Sequence, residues 1–286
     1  MNLSRLFGAL LISAVSILGL NACSSNSVRI EPSRKPANDG AVLQPDSPIY
    51  KLSVRISVDD RQWCSGFLID KNKILTAAHC FREFLPLKVV NGRFRFLVGG
   101  EVVQSIFRVY ANRTFDFDED RTRANSGDLA VIVLDTPVAR ESFFPVIDPS
   151  IPLDATVDSF FSIGFGPNPK ELKPSESAGI ARQTQMKIKD LTESDRITAQ
   201  TGVIGEGTIC GGDSGSPLLV QRENTWLIVG VASGTVFANN KSTEKPDPEK
   251  PICQDPAGEA LFTKPQAFFD FVKEPEKHGK PILAGE

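Results

Sequence analysis

The run Thr208-Ile-Cys-Gly-Gly-Asp-Ser-Gly-Ser-Pro217 sets a serine where nucleophilic chemistry is possible. Gly212 and Asp213 precede Ser214 and Gly215 follows it. The chain can therefore turn tightly, approach a substrate closely and present the serine oxygen beside backbone N–H donors. A hydroxyl is a weak nucleophile until a neighbouring base takes its proton. The chain has two histidines. His278 lies in the polar stretch Glu274-Pro-Glu-Lys-His-Gly-Lys-Pro281, whereas His79 closes Leu75-Thr-Ala-Ala-His-Cys80. His79 is the candidate general base. The plain alternative, a structural histidine, is outweighed because two separate motifs converge on one chemistry.

A base of this kind needs a carboxylate to fix its tautomer and stabilise the imidazolium. Asp128 fits best, because it opens the apolar run of Ser126-Gly-Asp-Leu-Ala-Val-Ile-Val-Leu134 and would be carried partly inside. Asp116, Asp118, Glu119 and Asp120 form a charged run of the kind found in solvated loops, and Asp135 closes the strand at its far end. The elements around these residues read as strands. Apolar residues 67–69 and 74–75 flank the polar turn Asp70-Lys-Asn-Lys73, the pattern of a hairpin. Further short β-type runs fall at 52–58, 94–98, 102–110, 129–134, 160–163, 217–220 and 226–231, with glycine and proline scattered between. That pattern predicts an all-β chain of barrels or sandwiches, without internal repeats.

The chain order His79, Asp128, Ser214 separates families that share this chemistry. With both motifs it resembles the chymotrypsin/trypsin-like serine proteases over about residues 48–272. Lesser matches are Cys64-Ser-Gly-Phe-Leu-Ile69, Gly164-Phe-Gly166, Gly230-Val-Ala-Ser-Gly234 and Leu261-Phe-Thr-Lys264. The resemblance implies two antiparallel six-stranded β-barrels, at 48–150 and 151–273, with a short C-terminal helix at 265–273. It implies disulfides Cys64–Cys80 and Cys210–Cys253 and an oxyanion hole of the Gly212 and Ser214 N–H groups. Ser233 would support Asp128 and, with Gly234 and Thr235, form the edge that receives a substrate strand. Thr208 would lie at the base of the primary pocket, with Thr235 and Ala260 as its walls. No aspartate stands at the base, so the pocket is expected to be neutral and to favour small or medium apolar residues. Two departures stand out: Gly234 replaces a usual tryptophan, and the loop 237–252 is long. The family often pairs Asp213 with a new N-terminal amine. The basic sites Arg29-Ile30 and Lys35-Pro36 make weak cleavage signals, which favours an internal Lys or Arg partner.

The fifth cysteine, Cys23, ends Leu20-Asn-Ala-Cys23 after a leader with Arg5 and a short apolar core. Residues 1–22 read as a signal peptide of the bacterial lipoprotein type with Cys23 as the lipidated residue; an ordinary secretory signal is the alternative. Residues 23–47, rich in Ser, Pro and Asn, read as a flexible tether, and 274–286 as a polar tail. These features place the protein outside the cytoplasm, in a bacterial envelope (with outer-membrane sorting) or released. The formal charge is −3, which offers no footprint for nucleic acid. The expectation is a monomeric serine endopeptidase acting on polypeptides, with no metal or cofactor. The rivals are an inert or latent lipid-anchored binding protein on the same fold and an esterase using the same serine.

Overall fold

The structure is a computed structural model that describes residues 40–87, 89–118, 126–139, 144–168, 177–200, 208–223, 225–237 and 258–285. The leader, Cys23, Cys253 and nearly all of the 237–252 loop lie outside the described residues.

The described residues form sixteen strands: β1 (Ala41–Val42), β2 (Ser53–Val58), β3 (Arg61–Asp70), β4 (Lys73–Thr76), β5 (Phe94–Val98), β6 (Glu101–Val103), β7 (Phe107–Asn112), β8 (Ala130–Leu134), β9 (Phe160–Gly164), β10 (Arg182–Met186), β11 (Ile188–Asp190), β12 (Arg196–Gln200), β13 (Pro217–Arg222), β14 (Thr225–Phe237), β15 (Gly258–Thr263) and β16 (Gly279–Gly285). They form two antiparallel sheets, ordered β16-β7-β8-β4-β3-β2-β5-β6 and β1-β10-β9-β13-β14-β15-β12-β11. The fold is all-β with two barrel-like halves and a short helix, Phe269–Lys273, near the C-terminus.

Each half shows in its residues why it folds so. In β5 and β7 the side chains alternate, with Phe94, Phe96, Phe107 and Val109 buried and Arg95 and Arg108 outside. This is the period-two pattern of a half-covered sheet. Phe96 and Phe107 meet edge to face with centroids 4.9 Å apart. β8 is buried along its whole length, so its run Ala-Val-Ile-Val-Leu has no polar face to present. The predicted hairpin at Asp70–Lys73 is present, with those residues opposite each other.

Two sequence expectations are corrected. Among the described residues each sheet has eight strands rather than six, because short edge strands are added and because β1 and β16 each pair with the half remote from them in the chain. β1, within the segment that reads as tether, pairs with β10 of the second half. The predicted polar tail is instead a helical turn, Pro275–His278, followed by β16, which pairs with β7 of the first half. Its Ile282 and Leu283 are buried in the first core. Two apolar residues flanked by Gly, Lys and Pro leave too weak an alternation to read as a strand.

Candidate active site

His79 sits on a 3₁₀ turn, Ala78–Phe84, directly after β4. Cys80 on this turn is joined to Cys64 of β3. A cross-link closing a loop of this size is worth about 3 kcal/mol in the chain-entropy picture and holds the His79 turn against the sheet. Cys210 is also disulfide-bonded; its expected partner Cys253 lies outside the described residues.

Asp128 precedes β8 and is 2% exposed. Its carboxylate accepts three hydrogen bonds: from the His79 backbone N–H at 2.9 Å, between His79 Nδ1 and Oδ2 at 2.7 Å, and from Ser233 Oγ at 2.6 Å. Burial pushes this carboxyl up, but the His79 charge and these three hydrogen bonds outweigh it and hold it below the usual carboxylate range. An ionised Asp128 fixes the His79 tautomer with the proton on Nδ1 and Nε2 free to accept. Ser214 lines the same cleft, of about 500 Å³, as His79, Asp128 and Ser233.

The serine is held by both halves. Its carbonyl accepts from Ser65 N–H at 2.8 Å, and the next N–H, of Gly215, donates to Ala232 O at 2.8 Å. Gly215 has φ 84°, and a β-carbon there would overlap Thr76 Oγ1 and the Ser65 carbonyl oxygen. Only glycine meets both demands. Gly212, on the other side of the serine, has φ 95°.

Asp213 turns inward. Its carboxylate accepts from Gly166 N–H at 2.7 Å and Cys210 N–H at 2.8 Å. The residue as a whole keeps some exposure, but the carboxylate end is enclosed: a β-carbon on Gly166 would lie 2.5 Å from Oδ2. Burial pushes its pKa up to about 6 against the opposing pull of the Cys210 and Gly166 N–H groups and of the Arg182 charge. Arg182, itself buried, is the internal cation that bears on it. The sign follows from linkage. A raised folded-state pKa means that the native protein holds a proton between about pH 4 and 6 that the unfolded chain has lost. The stability due to this group is present below pH 4 and lost as pH rises through 6. The stability of the wild type relative to Asp213→Asn is therefore expected to fall by about 2 kcal/mol from pH 4.5 to 7.5. Denaturant unfolding of both proteins across that range measures it, and a difference independent of pH would contradict it.

Of the expected pocket residues, Gly234 and Thr235 line the cleft, together with Ile209, Val236 and Leu261, whereas Thr208 and Ala260 are not among its lining residues. Ala260 is wholly buried in the second core. On a strand, neighbours face opposite ways, so its successor Leu261 faces the cleft. Thr208, outside any strand, is half-exposed, and its buried successor Ile209 borders the cleft. At the other end of the cleft stand Trp63, Arg82, Glu83 and Phe115, with Arg82 over the Phe115 ring at 5.9 Å. Gly234 has nothing within 4 Å of where a β-carbon would be, so this wall is open.

Sequence reasoning missed Ser65 and Gln62, whose side chains both reach the Gly212 carbonyl. Ser65 lies within the Cys64–Ile69 match, but nothing local marks its part or that of Gln62 at the site, because their partner lies about 150 residues away along the chain. Among the described residues, the one grouping of possible metal ligands is Cys64, His79 and Cys80. Its two sulfurs are bonded to each other, which leaves no thiolate to bind a metal.

A double β-sheet fold with a His–Asp pair and a serine in one interdomain cleft defines the class of trypsin-like domains. The chain belongs to the trypsin family, which it matches over residues 37–253. It is similar to glucanase inhibitor protein 3 of Phytophthora infestans, 27% identical over 78% of this chain and 88% of that protein. Glucanase inhibitor protein 4 of the same organism is 24% identical over 77% and 86%. A collagenase of Hypoderma lineatum is 29% identical over 64% of this chain and 71% of that protein.

Proposed function

We propose that the protein is a serine endopeptidase. The observation that carries this reading is the hydrogen-bonded line Ser233–Asp128–His79, with Ser214 in the same cleft. Ser214 Oγ attacks the peptide carbonyl carbon as His79 Nε2 takes its proton, forming a tetrahedral oxyanion opposite the N–H groups of Gly212 and Ser214. The intermediate collapses to an ester on Ser214, and the His79 proton goes to the departing amine. Water, deprotonated by His79, then hydrolyses the ester and restores the serine. The apolar side chains of Ile209, Val236 and Leu261 support a neutral primary pocket that takes an apolar residue before the scissile bond. The open edge Ser233–Thr235 is free to pair with an extended substrate.

The Cys64–Cys80 disulfide supports folding in an oxidising compartment. Together with the leader, it supports export, and Leu20-Asn-Ala-Cys23 supports lipid anchoring through Cys23. The second reading, a binding protein on the same fold, is favoured by one specific observation: two of the relatives are named as inhibitors.

Treatment of the protein with a fluorophosphonate, read by intact mass with Ser214→Ala as control, separates the two. One adduct on the wild type and none on the variant is expected. A wild type without an adduct would overturn the enzyme reading in favour of the binding protein.

A further inference from the structure

We infer that Ser65 is a positioning residue that sets the oxyanion-binding loop from the opposite half of the molecule. The inference rests on the endopeptidase reading and extends it to a residue outside the triad.

Ser65 lies in β3 of the first half and is completely buried. Its hydroxyl donates to the Gly212 carbonyl at 2.8 Å and accepts from Phe165 N–H at 3.0 Å. Its backbone N–H donates to the Ser214 carbonyl at 2.8 Å, and its own carbonyl accepts from Thr76 Oγ1 at 2.7 Å. One buried residue thus holds the carbonyls of both Gly212 and Ser214, whose N–H groups would bind the oxyanion. A second donor, Gln62 Nε2, reaches the Gly212 carbonyl at 3.2 Å and is itself steadied by Arg55 Nε on its Oε1 at 3.1 Å.

The physical need for such a clamp is visible in the loop. Gly212 has a positive φ, and glycine passes between backbone wells at little steric cost. Without an anchor the peptide planes on either side of it could rotate, and an oxyanion donor aimed wrongly is lost to catalysis. Fixing the Gly212 carbonyl fixes the plane it shares with Asp213 N–H, which donates to Cys210 O at 3.0 Å. Fixing the Ser214 carbonyl fixes the plane on the far side of the nucleophile. Phe165 N–H, held by the same hydroxyl, belongs to the segment whose Gly166 N–H holds the Asp213 carboxylate. Ser65 therefore ties three parts of the second half to one point of the first.

The test compares wild type, Ser65→Ala and Gln62→Ala in the full protein. Active sites are counted by fluorophosphonate labelling, so that misfolded molecules are excluded from the rate. Per active site, Ser65→Ala is expected to lower kcat about 10- to 100-fold and leave KM within about twofold. Binding of a peptide boronic acid, which forms the tetrahedral adduct, should weaken by a similar factor. Gln62→Ala, at a half-buried position, should show the same pattern at smaller size and keeps the idea testable if Ser65→Ala fails to fold. A purely structural role would lower the count of active sites and the melting temperature, with kcat per site and boronate affinity unchanged; that result overturns the proposal. Hydrogen exchange of the 208–216 segment reads the clamp without catalysis and should quicken in Ser65→Ala. A wild type that neither labels nor cleaves peptides overturns the endopeptidase reading. In that case faster exchange in the variant still supports the clamp, and unchanged exchange refutes it.

Discussion

Replacing Asp128 by Asn is expected to cut kcat roughly 10,000-fold, the size seen when this carboxylate becomes an amide in another Ser-His-Asp triad. The loss comes from geometry already described. Asp128 accepts from the His79 backbone N–H, the His79 ring and the Ser233 hydroxyl. An asparagine has one acceptor oxygen and an NH₂ that can only donate. If the oxygen stays with the His79 backbone N–H, the NH₂ faces Nδ1 and forces the proton onto Nε2. That nitrogen then cannot take the proton of Ser214. If the amide turns round, the backbone N–H meets the NH₂ and the turn carrying His79 is strained. The same site has a pH dependence of opposite sign to that of Asp213: Asp128 has a lowered pKa, so its contribution is present at neutral pH and lost only in acid. Steady-state kinetics on a peptide amide measures the effect. A variant within tenfold of wild type would show that Asp128 does not control the tautomer.

Ending the chain at His278 is expected to cost about 3–6 kcal/mol of stability, since burying an Ile or Leu side chain is worth about 1.5–3 kcal/mol and β16 carries one of each. Ile282 is 8% exposed and Leu283 5%. The strand makes six residue pairings with β7, and its removal would expose the β7 backbone as a bare edge, open to pairing with other chains. Gly279 packs closely on Phe271 of the C-terminal helix, so the helix loses part of its footing too. Chemical denaturation of the shortened protein measures the cost; a change under 1 kcal/mol would make β16 ornamental. The triad is built without this segment, so the fraction that stays folded should keep its rate per active site.

The parts of the site that the sequence reveals are those written in local order. His79 and Ser214 each stand in a short run whose neighbours serve the same task, and Asp128 stands at the head of an apolar strand. Ser233 is legible as part of the edge beside the triad. The clamp is not legible, because Ser65 and Gln62 meet Gly212 only after the two halves close on each other. Ala260 shows a different limit: on a strand beside a pocket a shift of one residue exchanges a side chain facing the cleft for one facing the core, as Leu261 and Ala260 demonstrate. The fold class follows from repeated short alternating runs. The strand at 279–285 does not, since its pairing with β7 is decided by an edge that only the folded first half presents.

The exchange of chain ends between halves also sets an order of events in time. β1 is made early and can dock only when β10 exists; β16 is made after the other described strands and completes the half made first. A chain emerging from its N-terminus, whether from a ribosome or through a membrane pore, thus cannot finish its leading half until residues 279–285 are out. Pairings that span so much of the sequence slow folding, because loop closure precedes the reward of contact. The outer edge of the first sheet is therefore closed only after residues 279–285 have been drawn against β7, so β7 waits as an open edge for as long as the second half is being made.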